Sequence, residues 1–102
     1  MFLVFKKSGS TREQCQAEWS SDWHVDLADK ISGMRRYVQN YVTSDPVDAA
    51  PDGIGEMWFD DAAAMDNAVN SPEMAAGFQD AKQFAEFERT LGLSVGEKPI
   101  LG

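Results

Sequence analysis

The chain has 102 residues, the length of one domain around one core. Seventeen acidic against nine basic residues leave a formal net charge of −8, which argues against nucleic acid or an anionic membrane as partner, since both attract clustered Lys and Arg. No apolar run approaches the ~18 residues a membrane helix needs, and the single cysteine, Cys15, excludes an internal disulfide and a cysteine-rich zinc site.

The N-terminal residues 1–7 read as a strand that is apolar on both sides. Phe2 and Val4 point one way, Leu3 and Phe5 the other. The apolar stretch precedes its lysines and is too short for a signal peptide, so a cytoplasmic protein is expected. Ser8-Gly9 breaks the strand. Ser10, with Glu13 three residues on, reads as a capping box that opens a helix over residues 11–31. Cys15, Trp19, Trp23, Leu27 and Ile31 recur along one face of that helix, with His24 on its rim.

Ser32-Gly33 ends the helix. Residues 34–43 form a second strand, with Arg35, Tyr37, Gln39, Tyr41 and Thr43 on one face and Met34, Arg36, Val38, Asn40 and Val42 on the other. Residues 44–53 read as a loop. Its Asp45, Asp48 and Asp52 do not fit a calcium-loop spacing and are expected to be solvated. Residues 54–60 form a third strand. Asp60 or Asp61 caps a short helix with Met65, Ala68 and Val69. Ser71-Pro72 starts another, which turns Met74, Phe78, Ala81 and Ala85 inward. Residues 91–95 alternate as a fourth strand.

The order strand, helix, strand, strand, helix, strand is that of a ferredoxin-like α+β fold. It predicts a four-stranded antiparallel sheet with helices on one face. The first strand is apolar on both sides, and the third carries Met57 and Phe59 on one side and Ile54 and Trp58 on the other, so the face without helices needs cover and a homodimer joined through sheet faces is expected.

Three stretches together resemble the EthD family, named for ethyl tert-butyl ether degradation, within the dimeric α+β barrel superfamily. They are His24 followed by Arg36-Tyr37-Val38-Gln39-Asn40; Asp52-Gly53 leading into Ile54-Gly55-Glu56-Met57-Trp58-Phe59-Asp60; and Ser71-Pro72-Glu73 with Asp80 and Phe84. The resemblance covers roughly residues 1–95 and makes residues 1–102 a single domain of that type. It implies a back-to-back dimer and a pocket in each protomer between the first helix and the sheet. Members and relatives include a muconolactone methylisomerase, cyclases, dehydratases, decarboxylases and cofactor-free monooxygenases. The founding member accompanies a cytochrome-linked ether-cleaving oxidase. In the methylisomerase a histidine and a tyrosine spaced like His24 and Tyr37 lie in the site, and Met57 stands where it has a cysteine. A mechanism that depends on that thiol is therefore not expected here.

His24, the sole histidine, is the candidate general acid/base, because imidazole exchanges protons near neutral pH. Its bland alternative is a rim histidine that bonds a neighbour. Tyr37 is the candidate donor to a substrate carbonyl or enolate, or else a packed strand tyrosine. Trp19, Trp23, Gln39, Tyr41 and Met57 are the candidate substrate-binding residues, lining an apolar cavity or simply forming core. Glu56 is expected to pair with Arg35 or Arg36, Asn40 to serve an interface, and Cys15 to be a small core hydrophobe. One histidine without a cysteine cluster provides no metal site, and no glycine pattern matches a cofactor loop.

The function expected is that of a small cofactor-independent enzyme with isomerase, lyase or oxidoreductase chemistry on a small apolar carbonyl, lactone or aromatic compound. The alternative is a non-catalytic ligand-binding or accessory protein of an oxidase system.

Overall fold

Serine placement decides how the helical half of the chain is cut. The computed structural model describes residues 1–47, 50–86, 88–89 and 91–101. After β1 (Phe2–Val4), α1 runs over Arg12–Trp19. Its cap is Thr11 rather than Ser10. The Thr11 hydroxyl accepts from Gln14 N at 3.0 Å, and the Gln14 side chain accepts from Thr11 N at 2.9 Å. Ser10 is taken by the preceding turn, where its hydroxyl donates to Lys7 O at 2.8 Å.

The single helix expected over residues 11–31 is two. It stops at Ser20, and Ser21 caps α2 (Asp22–Asp29) by accepting from His24 N at 3.3 Å. A serine oxygen that bonds the backbone locally competes with helix continuation. The break changes which residues face inward. Cys15 and Trp19 are buried, but Trp23 is 68% exposed, while His24, Ala28 and Ile31 are buried. An unbroken helix would have carried Trp23 onto the Trp19 face and left His24 at the edge.

Gly33, at φ +82°, turns the chain into β2 (Met34–Tyr41). A register shift between Met34 and Arg36 puts Met34 among the helix-facing residues instead of opposite Tyr37. β3 (Gly53–Phe59) pairs antiparallel with both β2 and β1. Asp61 and Ser71 cap α3 (Ala62–Val69) and α4 (Pro72–Ala81), with Pro72 in the first turn of α4. The three longer strands form an antiparallel sheet in the order β2-β3-β1. A two-residue β4 (Leu91–Gly92) adds to the β1 edge. The alternation expected over residues 91–95 does not extend that strand. Leu93 exchanges two hydrogen bonds with Met1, and Val95 is 65% exposed.

The helices cover the sheet face that carries Phe2, Val4, Met57 and Phe59. Two clusters fill the gap: Val4, Cys15, Trp19, Phe84 and Ala85 at one end, and Ile31, Ala68 and Met74 at the other. The opposite face carries Arg36 stacked over the Trp58 ring at 4.6 Å and Asn40 donating to Glu56 at 2.8 Å. Glu56 thus takes an amide partner and not the arginine expected. Arg35 falls at the register shift and bridges Asp60 at 2.9 Å, and Arg36 stands opposite Trp58 in the ladder.

Asp52 is buried, not solvated. It accepts from Lys6 N at 2.8 Å and from Arg12 Nε at 3.0 Å, while Gln16 donates to its carbonyl at 3.0 Å. It ties the end of β1 and the start of α1 to the start of β3, where burial strengthens a paired charge. Asp48, read as part of the same acidic loop, lies outside the described residues. Among the described residues, no helix is long and apolar enough to cross a membrane.

Two glycines of β3 are fixed by aromatic rings. A Cβ at Gly53 would lie 2.5 Å from Trp19 Cζ3, and one at Gly55 would lie 2.3 Å from Phe2 Cζ. Both distances are well inside van der Waals contact. Gly53→Ala and Gly55→Ala are each expected to destabilise by about 1–3 kcal/mol through overpacking. Gly77→Ala, in the middle of α4 with nothing within 4 Å of its added carbon, should stabilise by about 0.5–1 kcal/mol. Urea unfolding of the three variants checks the contrast.

Candidate functional site

The helix-covered side of the sheet holds a cavity of about 40 Å³, lined by Trp19, His24, Tyr37, Met57, Met74 and Phe78 among others. That is space for about three water molecules. Its walls come from β1, α1, α2, β2, β3 and α4, so it lies between the helices and the sheet. His24 and Tyr37, from different elements, share this one cavity.

His24 is placed by the cap of α2. Ser21 holds the first turn, and the His24 ring then points under α4. There its Nδ1 meets Asp80 Oδ2 at 2.9 Å, with both side chains about nine-tenths buried. Asp80 Oδ1 accepts from Trp23 Nε1 at 3.1 Å and from Gln83 Nε2 at 3.2 Å. The edge-on ring of Phe84, 5.2 Å between centroids, flanks the imidazole. A carboxylate at Nδ1 favours the tautomer with its proton there. The lone pair then lies at Nε2. That atom has no hydrogen-bond partner among the described residues and is not sealed from solvent-sized contact.

Tyr37 hangs from the middle of β2. Its hydroxyl accepts from Gln39 Nε2 at 3.1 Å. Burial pushes its pKa up, while hydrogen bonds with Gln39 and Trp19 pull the other way. The phenol therefore holds its proton at neutral pH and can donate it in a hydrogen bond.

The other candidate binding residues divide. Trp19 and Met57 line the cavity. Trp23, expected to wall it, lies outside because the helix break turns it to solvent, where its indole serves Asp80. Gln39 and Tyr41 also lie outside the lining. Gln39 donates to Trp19 O at 2.9 Å and accepts from Tyr41 at 2.6 Å, so it supports Tyr37 from behind. Trp19, packed over Gly53 and edge-on to Tyr41 at 5.8 Å, fills that end of the sheet face. Asp80 was not among the expected site residues. Its signal in the sequence was its place beside Phe84 in the family-like stretch. Among the described residues, no group of three His, Cys, Asp or Glu is arranged to hold a metal.

The EthD domain model matches residues 7–88. The chain belongs to the EthD family. A crystal structure of an ethyl tert-butyl ether degradation (EthD) family protein from Bacillus halodurans C-125, at 1.40 Å, is similar to it with a TM-score of 0.69. That likeness covers 96% of this chain and 95% of the other at 24% identity, and it shows a shared fold. No curated protein matches the chain. In this EthD protein the family model spans His24, Tyr37, Met57 and Asp80 together.

Cys15 takes no part in the cavity. Its side chain is buried, and burial, with the nearby Asp52 carboxylate, raises its thiol to about 11. At pH 8 that leaves about one thiolate in a thousand, roughly a hundredfold fewer than an ordinary cysteine. Native protein should therefore react with iodoacetamide at least a hundredfold more slowly than the urea-unfolded chain, and the rate should rise as pH climbs toward 11. Equal rates in the two states would contradict the burial.

Asp80→Ala should cost about 1–3 kcal/mol, because it strands the buried Nδ1 of His24. Trp23→Phe removes an indole N–H at an exposed position and should cost under about 1 kcal/mol. Thermal unfolding of both variants measures the difference.

Proposed function

We propose that this EthD protein is a cofactor-independent enzyme that moves a proton on a small, neutral, apolar carbonyl compound, with His24 as general acid/base. One observation carries the reading: an imidazole whose Nδ1 is held by a buried carboxylate leaves Nε2 unpartnered at an apolar cavity. The arrangement resembles the orienting half of a catalytic dyad. Asp80 fixes the ring and balances the charge when Nε2 gains a proton. Tyr37, protonated and hydrogen-bonded from behind, would donate to the carbonyl oxygen as charge develops on it. The reaction class that follows is proton abstraction next to a carbonyl, as in isomerisation or elimination. Oxygen-dependent oxidation of the same carbanion is a second outcome of the same first step. Met57 offers no thiol for nucleophilic chemistry.

The direct assay is α-proton exchange in heavy water, followed by NMR over a panel of cyclic ketones, lactones and aryl ketones. Wild-type protein should exchange at least one of them. His24→Gln should lower that rate about 10²-fold or more, and Tyr37→Phe by roughly tenfold, with melting temperatures little changed. A ligand that binds but never exchanges would favour the accessory, ligand-holding role instead.

The protomer is further proposed to be a single ferredoxin-like domain that works as a homodimer in the cytoplasm. The strand order, with β4 as its shortened edge, supports the topology. The sheet face away from the helices supports pairing, since Leu3, Val38, Ile54 and Trp58 are only half-buried there. Light scattering at micromolar concentration should give twice the chain mass. Val38→Glu, which places a charge in the middle of that face, should give a folded monomer. A wild-type monomer would refute the pairing.

A further inference from the structure

The cavity that holds His24 is too small for the substrate proposed for it. Organic ligands occupy sites of about 300–1,000 Å³, and this one offers about 40 Å³. A second hollow, of about 640 Å³, lies beyond one of its walls, between residues 56–59, the start of α3 and residues 94–97. Of the described residues, Met57 alone lines both.

The outer hollow has a structural origin. β1 is three residues long and pairs with β3 only along Gly53, Ile54 and Gly55. From Glu56 onward the β1-side edge of β3 is left uncovered by β1. The C-terminal segment passes across this opening. Its hydrogen bonds from Leu93 to Met1 hold one end, and Ser94 Oγ donates to Met65 Sδ at 3.4 Å.

We infer that Met57 is the inner door of a two-chamber substrate path, and that the path takes neutral apolar molecules in preference to carboxylates. This rests on the reading of the inner cavity as the reaction chamber. The Met57 backbone is fixed by its pairing with Tyr37 in the ladder, so only its side chain moves. Methionine has three rotatable bonds and adapts to irregular space at little cost. Phe84 also lines both the inner cavity and a different surface groove, but it is a poor door. It is 4% exposed, and its ring stands edge-on against His24, so its displacement would disturb the imidazole.

The charge preference follows from the outer walls. Glu56, Asp61 and Glu97 line the outer chamber, against one cationic group there, the Met1 ammonium, which is spent on Leu93 O at 3.0 Å; among the described residues no Lys or Arg lines it. A carboxylate entering there meets like charges on a chain of net charge −8. Phe59, Met65 and Val95 supply the apolar surface. A fitting molecule would rest its apolar body there and pass a small carbonyl head beyond Met57.

Stopped-flow binding of two near-isosteric probes tests this on the whole chain: the neutral ketone 2-acetonaphthone and the anion 2-naphthoate. Met57→Ala should speed association of the ketone by about tenfold, and the bulkier Met57→Phe should slow it by a similar factor. Met57→Leu, stiffer at equal volume, should also slow it, and gives a second reading should the alanine variant fold poorly. The ketone should bind about tenfold more tightly than naphthoate at low salt, with the gap narrowing as salt rises. Equal association rates for all four proteins would overturn the door. Naphthoate binding as tightly as the ketone would overturn the charge preference. Failure of both probes to bind any of the proteins would overturn both, together with the reading of the cavity. Loss of heavy-water exchange with the door behaviour intact would remove only the proton-transfer role of His24.

Discussion

The hydrogen bond from His24 to Asp80 crosses between α2 and α4, and the site is organised around it. It joins two helices that reach the cavity from separate parts of the chain. It satisfies a buried imidazole and a buried carboxylate at once, each of which would be costly alone. It also fixes the orientation of the imidazole, which lines the cavity. Trp23 and Gln83 complete the carboxylate from its other oxygen, so the Asp80 side chain has little freedom. A second buried carboxylate, Asp52, does comparable work at the other end of the sheet. There it joins β1, α1 and the start of β3 without touching the cavity. One acid holds the frame; the other holds the imidazole.

These contacts depend on a helix that is interrupted. Ser21 ends one helical direction and begins another, which exchanges Trp23 for His24 on the buried side. Periodicity read across the break gives the wrong orientation for the second half of the segment. Ser20-Ser21-Asp22 carries the local sign of a cap, which the regular spacing of Cys15, Trp19, Trp23, Leu27 and Ile31 masks. Only the first two and the last of these are buried. A similar limit applies at β2, where the register shift that brings Met34 to the helix side leaves no mark in an alternating pattern.

Other features were legible because their causes are local. The Ser71-Pro72 start of α4 and the Asp61 cap of α3 follow from side chains next to the backbone they bond. His24 and Tyr37 line one cavity, and packing between helices and sheet sets their geometry. The pairing with Asp80 was not legible. It links positions 56 residues apart, and a single aspartate on an amphipathic helix carries no sign of what it will face. The glycines before Met57 were visible as part of a motif. Their reason, the rings of Trp19 and Phe2 lying against the strand, belongs to the folded chain.

A lone histidine makes the central claim accessible to one spectrum. Long-range proton–nitrogen NMR of nitrogen-15-labelled protein, at a pH where the ring is neutral, reports which ring nitrogen bears the proton. The account predicts a proton at Nδ1, held by Asp80, and a bare Nε2, with that preference lost in Asp80→Ala. A neutral ring carrying its proton at Nε2 in the native protein would contradict it.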